Sequence, residues 1–257
     1  MKMKGNTILI TGGTSGIGRA LAEAFHAEGN QVIVAGRRKA LLDEVTAANP
    51  GMRGAVLDIE QGASIPGFAR KLLADSPKLN VVIHNAGIMR SEVLAKGELA
   101  DAEATVATNL LGPIRLTAAL LPALLKQPDA VIMTVTSGLA FVPLALTPTY
   151  SATKAAIHSY TQSLRYQLKD TGVQVLELAP PYVQTELQGP RQAADPMAMP
   201  LKDFIAEVMG LLRNSADATE ILVERVKAQR NAEASGAYDA FFKAMNERVA
   251  AARADWH

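Results

Sequence analysis

"ILITGGTSGIGRA", residues 8–20, decides the fold. An apolar run enters it, and Gly12, Gly13, Gly16 and Gly18 crowd seven positions. An amphipathic stretch leaves it. Glycines bring no chemistry; they permit backbone conformations and close approaches that a Cβ forbids. A buried strand, a turn almost without side chains and then a helix present helix N-terminal amides to a phosphate. On that reading Gly12 permits a tight turn, Gly16 lets the backbone approach the phosphate, and Gly18 lets the helix pack close to the sheet. The simpler alternative is a turn that only joins a strand to a helix.

Outward from this stretch the same alternation recurs. Residues 7–11, 31–36, 54–59, 80–87, 130–137 and 173–180 are Val/Ile/Leu-rich and lack period-two alternation, as strands covered on both faces do. Amphipathic stretches at 16–29, 38–48, 63–75, 99–126 and 150–171 read as the helices between them. Strand and helix in strict alternation predict an α/β fold, a doubly wound parallel sheet. The 257 residues fit a single domain, 1–257. Residues 182–200, rich in Pro, Gly, Gln and Met, read as a long mobile loop, and 201–257 as a mostly helical extension without a last strand. Within it "EILVERVKAQRNAE", 220–233, reads as a solvated helix face.

Composition narrows the function. Nearly half the residues are apolar, and the net charge of +1 gives no field for nucleic acid or an anionic membrane. Without cysteine there are no disulfides and no thiolate metal sites. No second His stands at ligand spacing from His84, so no metal is expected. "MKMKGNTILI" does not read as a signal peptide and no membrane span is expected, which leaves the cytoplasm as the default location.

The residues that carry chemistry lie in "SGLAFVPLALTPTYSATK", 137–154. Tyr150 and Lys154 share one face if a helix begins near Tyr150. An ammonium beside a phenol favours the phenolate and lowers its pKa. Such a phenol can give a proton to a carbonyl oxygen or take one from an alcohol. Ser137, thirteen residues upstream at a strand end, is placed to hydrogen-bond the same oxygen.

"TGGTSGIG", 11–18, with its Gly-x-x-x-Gly-x-Gly spacing, resembles the short-chain dehydrogenase/reductase family. The Ser–Tyr–Lys interval, Asn109 in "VATNLLGP", "NAG" at Asn85–Gly87 and Asp58 in "LDI" match the same family, so that the resemblance covers residues 5–187. It implies a Rossmann-like domain and hydride transfer between a nicotinamide cofactor and a small carbonyl or alcohol substrate. It implies Tyr150 as acid/base, Lys154 tuning it and bonding the nicotinamide ribose, Ser137 polarising the carbonyl and Asn109 holding a water in a proton relay. The cofactor side falls to Gly12, Thr14, Ser15, Gly16, Ile17, Gly18, Arg37, Arg38, Asp58, Ile59, Asn85, Ala86, Gly87, Tyr150, Lys154, Pro180, Val183 and Thr185. Asp58 would meet the adenine amino group and Thr185 the carboxamide.

Two departures stand out. His84 replaces the first Asn of the family's "NNAG" and reads as a hydrogen-bonded structural residue. "PPYVQT", 180–185, puts Pro181 where the family has Gly, and with the helical C-terminus resembles the family's DltE-like branch. After the second strand Gly36 stands where NAD-binding members carry an acid, and Arg37 and Arg38 follow, which points to NADP(H). Arg19 raises the same question of phosphate or solvent.

Leu139, Phe141, Val142, Pro143, Leu144 and the 182–200 loop suggest an apolar pocket for an uncharged, medium-sized aldehyde or ketone. Met197 and Met199 fit either a pocket wall or a core gap. Leu116, Leu120, Leu124, Ile157, Leu164 and Leu168 exceed one buried face on their helices and predict a homodimer. The competing readings are a non-catalytic NADP(H)-binding sensor or scaffold, and a related enzyme acting on a carbon–carbon double bond or a sugar nucleotide.

Overall fold

Every strand that the apolar runs mark is present in the computed structural model, which describes residues 1–215 and 217–252. The order begins β1 Thr7–Thr11, α1 Gly16–Ala27, β2 Gln31–Gly36, α2 Lys39–Ala48, β3 Arg53–Val56, α3 Ile65–Asp75 and β4 Val81–His84. It continues with α4 Ala100–Val106, α5 Gly112–Leu124, β5 Ala130–Val135, α6 Pro148–Gln167 and β6 Val173–Leu178. It ends with α7 Pro190–Ala194, α8 Leu201–Asn214, β7 Glu220–Ile221, α9 Lys227–Arg230 and α10 Tyr238–Ala252. The sheet is parallel throughout, in the order β3-β2-β1-β4-β5-β6-β7.

The chain starts in the middle of the sheet, runs out to β3, then crosses back to β4. At β1 and β4 the connections diverge to opposite faces, which opens a crevice beyond the strands' carboxyl ends. Two apolar layers cover the sheet. Leu21 and Phe25 of α1 meet Phe204 and Val208 of α8 on one face. Leu72 of α3, Leu116 and Leu120 of α5 and Leu164 of α6 fill the other.

Several strands end earlier than the apolar runs. Beyond β4 a side chain replaces the ladder. Thr11 Oγ1 accepts from the amides of Asn85 and Ala86, both at 3.1 Å, so β4 stops at His84. Leu57 N still donates to Gly36 O, and Asp58 and Ile59 then turn out of the sheet.

Three expectations change. Residues 220–233 are not a solvated helix face: Glu220–Ile221 adds a last strand beside β6, and Ile221, Val223 and Val226 are buried. Two residues are too few to print a strand pattern. The 182–200 stretch is pinned, with α7 inside it and Val183 bridged to Met199. The six apolar residues offered as a dimer face are all buried within this chain, so they argue for no partner. The run Ala100–Leu124 is long and apolar enough to cross a membrane, yet Leu116, Leu120 and Leu124 are fully buried under the sheet. Of the helical extension, residues 216 and 253–257 lie outside the described residues.

His84 behaves as a structural residue. Its Nε2 meets Thr117 Oγ1 of α5 at 2.9 Å. Burial pushes its pKa from 6.5 down to about 4. Between those values the unfolded chain takes a proton that the folded chain refuses. Stability therefore falls as pH drops through that window, by about 3 kcal/mol in all. In urea unfolding at pH 7 and pH 4, wild type should lose about 3 kcal/mol more than His84→Asn; equal losses would remove the assignment.

Candidate active site

The glycine turn floors the crevice. Gly12 and Gly16 take positive φ, +67° and +51°. A Cβ on Gly12 would lie 2.8 Å from Ala86 Cα. One on Gly18 would collide with the Gly12 carbonyl and the Asn85 amide. Asn85 Nδ2 donates to Thr11 O at 3.0 Å and Gly12 O at 3.2 Å, tying β4's end to the turn. At Gly16 only Thr185 comes near, at 3.4 Å, which leaves room above the first turn of α1. Ser15 caps that helix without a side-chain bond, so its first-turn amides keep their donor capacity toward the crevice.

The catalytic candidates come together on α6. Pro148 starts the helix with a preset φ. Glu92, from the loop after β4, accepts from Thr149 N at 3.1 Å and Thr149 Oγ1 at 2.7 Å and so caps it. Tyr150 and Lys154 then face the crevice together, Lys154 Nζ being 5.5 Å from the Tyr150 ring centre. Ser137 follows β5 and hydrogen-bonds the Tyr150 phenol. Lys154 Nζ donates to Val135 O at 2.7 Å.

The electrostatics differ from the sequence reading. The sequence reading has Lys154 lowering the Tyr150 pKa; burial instead pushes the phenol up to about 12, against the Ser137 bond that lowers it. Burial brings Lys154 down to about 8, against the negative charge of Glu177. Taking either charged form out of water costs more than the partner returns.

The crevice has a volume of about 450 Å³, and every predicted cofactor residue from Gly12 to Thr185 lines it, along with Ser137. Asn109 stands behind the wall instead, on a π-helical turn, Ala107–Leu111, between α4 and α5. Its amide accepts from Ile88 N and donates to Ile88 O and Thr153 Oγ1. Arg37 and Arg38 are exposed at the crevice edge, and among the described residues neither pairs with a carboxylate. Arg19 is answered differently: Glu23 and Glu44 hold it, each at 2.8 Å.

Residues 139–144 do not line the crevice. Val142 is fully buried, and Phe141 packs edge-on against His158. Met199 packs on the core and Met197 is exposed, so neither methionine forms a pocket wall. Ile88, Met89, Arg90, Glu186, Leu187 and Gln192 line the crevice as well. Gln192 Nε2 donates to Thr185 Oγ1 at 3.1 Å and to Val183 O at 2.8 Å. Sequence reasoning missed Thr11, Arg90, Glu92 and Gln192. Only Thr11 carried a signal, by leading the glycine motif; the others act through contacts that spacing does not reveal.

Comparisons with known proteins agree with this geometry. The short chain dehydrogenase family model matches residues 6–196. DltE of Bacillus subtilis (strain 168), described as an uncharacterized oxidoreductase, is 39% identical over 251 residues, 96% of this chain and 98% of its own. The closed form of serine dehydrogenase complexed with NADP+ has a TM-score of 0.75 at 27% identity, over 84% of this chain and 92% of that one. A short chain dehydrogenase from Burkholderia cenocepacia J2315 in complex with NADP is alike in fold, with a TM-score of 0.80 at 24% identity, over 94% of this chain and 99% of that one.

The Glu92 cap yields a stability test. Glu92→Ala leaves the first turn of α6 without its carboxylate, which costs about 1 kcal/mol. For a chain of this size that is a melting temperature about 2–4 °C lower. Calorimetry showing no decrease would mean that the cap does not hold the helix.

Proposed function

Because the chain belongs to the short-chain dehydrogenase family, and is thereby an oxidoreductase, we propose that it interconverts a carbonyl and an alcohol with NADP(H). The observation that carries this reading is the convergence of Ser137, Tyr150 and Lys154 on one wall of the glycine-floored crevice. The residues present fit a dinucleotide: a close glycine turn, first-turn amides of α1, and two exposed arginines. Bound NADPH would supply the hydride.

The chain's own residues do the rest. The Tyr150 phenol, protonated at neutral pH, gives its proton to the carbonyl oxygen. Ser137, already hydrogen-bonded to that phenol, bonds the same oxygen. Lys154 keeps positive charge beside the phenol and would bond the ribose of a bound nicotinamide cofactor. Asn109 braces the loop after β4 against α6 through Ile88 and Thr153. Asp58 and Ile59 would flank the adenine of a bound cofactor, and Thr185, steadied by Gln192, would hold its carboxamide.

Tyr150→Phe removes the proton donor and should cut turnover 10²–10⁴-fold, about 3–5 kcal/mol of barrier, with NADPH affinity kept. The assay is NADPH absorbance over a panel of aldehydes and ketones. A variant retaining half the wild-type rate, with chemistry limiting, would end the assignment. NADPH binding without turnover of any panel member would favour the sensor reading.

The choice of cofactor rests on the β2 end. Gly36 offers no carboxylate to repel a 2′-phosphate, and a Cβ there would press on Thr14 Cγ2 at 3.2 Å. Arg37 and Arg38 are without carboxylate partners among the described residues, whereas Arg19 is neutralised by two glutamates. Charge-assisted bonds contribute roughly 1.5–3 kcal/mol each. Arg37→Ala and Arg38→Ala should therefore each weaken NADPH about ten- to a hundredfold and NADH far less. Equal wild-type affinity for the two cofactors would refute the preference and leave the acid/base reading untouched.

A further inference from the structure

Glu177 is a fully buried carboxylate next to the carboxyl end of β6, behind the wall that carries Ser137. It is held from two sides. Thr136 Oγ1, from the residue before Ser137, donates to Glu177 Oε1 at 2.7 Å. His158 Nδ1 of α6 meets Oε1 at 2.9 Å and Oε2 at 2.8 Å. His158 follows Lys154 by four residues and Tyr150 by eight, so all three share one face of α6.

The surroundings are charged. Register sets Glu177 beside Glu220 of β7, a like-charge pair that is unfavourable unless neutralised. Arg230 of α9 grips Glu220 with both ends of its fork, at 2.7 and 3.1 Å, and stacks 4.9 Å from the Phe141 ring. Arg165 of α6 also faces Glu220, while it donates to Val175 O and Thr219 O. His158, Glu177 and Glu220 bring ligand atoms within 4.8 Å of one another, as a metal would want. Their oxygens are already engaged by Thr136, His158 and Arg230, so the cluster is a satisfied ion-pair network.

Within that network Arg230, although it bonds Glu220, also feels the charge of Glu177. Lys154 lies one turn before His158 on the same face of α6 and feels the same carboxylate. We infer that Glu177 is a positioning residue that holds the strand end carrying Ser137 and keeps Lys154 in its charged form. It touches neither substrate nor cofactor. The inference uses the proposed function only in treating Lys154 as a member of the reacting pair.

Burial and Glu177 act on Lys154 in opposite directions, burial lowering its pKa and the carboxylate raising it. Glu177→Gln removes only the second influence. The Lys154 midpoint, near 8 in wild type, should fall by about one pH unit. Carbon-13 NMR of lysine-labelled protein without cofactor reads it directly, with Lys154→Met assigning the signal. The affinity for NADPH, followed by fluorescence, should weaken at correspondingly lower pH.

A purely structural Glu177 would change stability and leave this midpoint in place, and that result would overturn the inference. Glu177→Asp keeps the charge and should restore the midpoint. Should Glu177→Gln fail to fold, Glu177→Asp and His158→Gln decide. Both retain the carboxylate, so a fall of about one unit in either would overturn it equally. Loss of the proposed function would appear separately, as an active Tyr150→Phe.

Discussion

At the carboxyl end of β1 the backbone of α1 comes so close to Gly12 that Gly18 has no space for a side chain. This contact sets the depth of the crevice. It brings the first turn of α1 over the sheet and leaves the carbonyls of Thr11 and Gly12 within reach of Asn85. Asn85 bonds both, and Thr11 returns the contact through its hydroxyl to two amides after β4. Strand, turn, helix and neighbouring strand thus become one unit. A flexible turn would lose entropy on meeting a phosphate; this one has lost it on folding.

The opposite wall is held by side chains. Glu92 and Ser151 fix the start of α6, Asn109 braces it through Thr153, and Thr161 bonds Thr134 of β5 at 2.8 Å. Such bracing buries Tyr150 and Lys154, and burial has an electrostatic consequence. The two groups have similar pKa values in water, yet here the phenol rises to about 12 and the amine falls to about 8. At neutral pH the pair is therefore phenol plus ammonium. Under the proposed function this is a charged proton-donor state, ready for a carbonyl. Oxidation of an alcohol would need the phenolate, which burial opposes.

The sheet was legible because its strands are covered on both faces and so print continuous apolar runs. The glycine spacing and the Ser137–Tyr150–Lys154 interval were legible because turn and helix fix those residues locally. What sequence did not reveal depends on tertiary contacts. β7 contributes two residues and takes its place only because β6 offers an open edge. Leu116 and Leu164 read as surplus because both faces of their helices carry apolar residues, while the sheet beneath uses more than one stripe. Glu92 and Gln192 are ordinary loop residues until the chain folds a carboxylate onto Thr149 and an amide onto Thr185. The Tyr150 pKa was misread in direction because sequence shows the neighbouring charge but not the burial.

The 220–233 segment, which sequence reads as a solvated helix face, packs together with α10 against the 138–145 loop. Gln229 fills the space that a side chain on Gly138 would need, and Arg230 lies against Phe141. Asn246 of α10 accepts from Ala145 N at 2.7 Å and donates to Pro143 O at 3.2 Å. Together these contacts draw the 138–145 loop toward the C-terminal helices, away from the crevice. Its apolar residues are thereby used in packing. The crevice lining combines Ile88, Met89 and Leu187 with Arg90 and Glu186. Under the proposed function a carbonyl substrate would meet charge of both signs there, and α9 and α10 would act on it only through the loop that they hold.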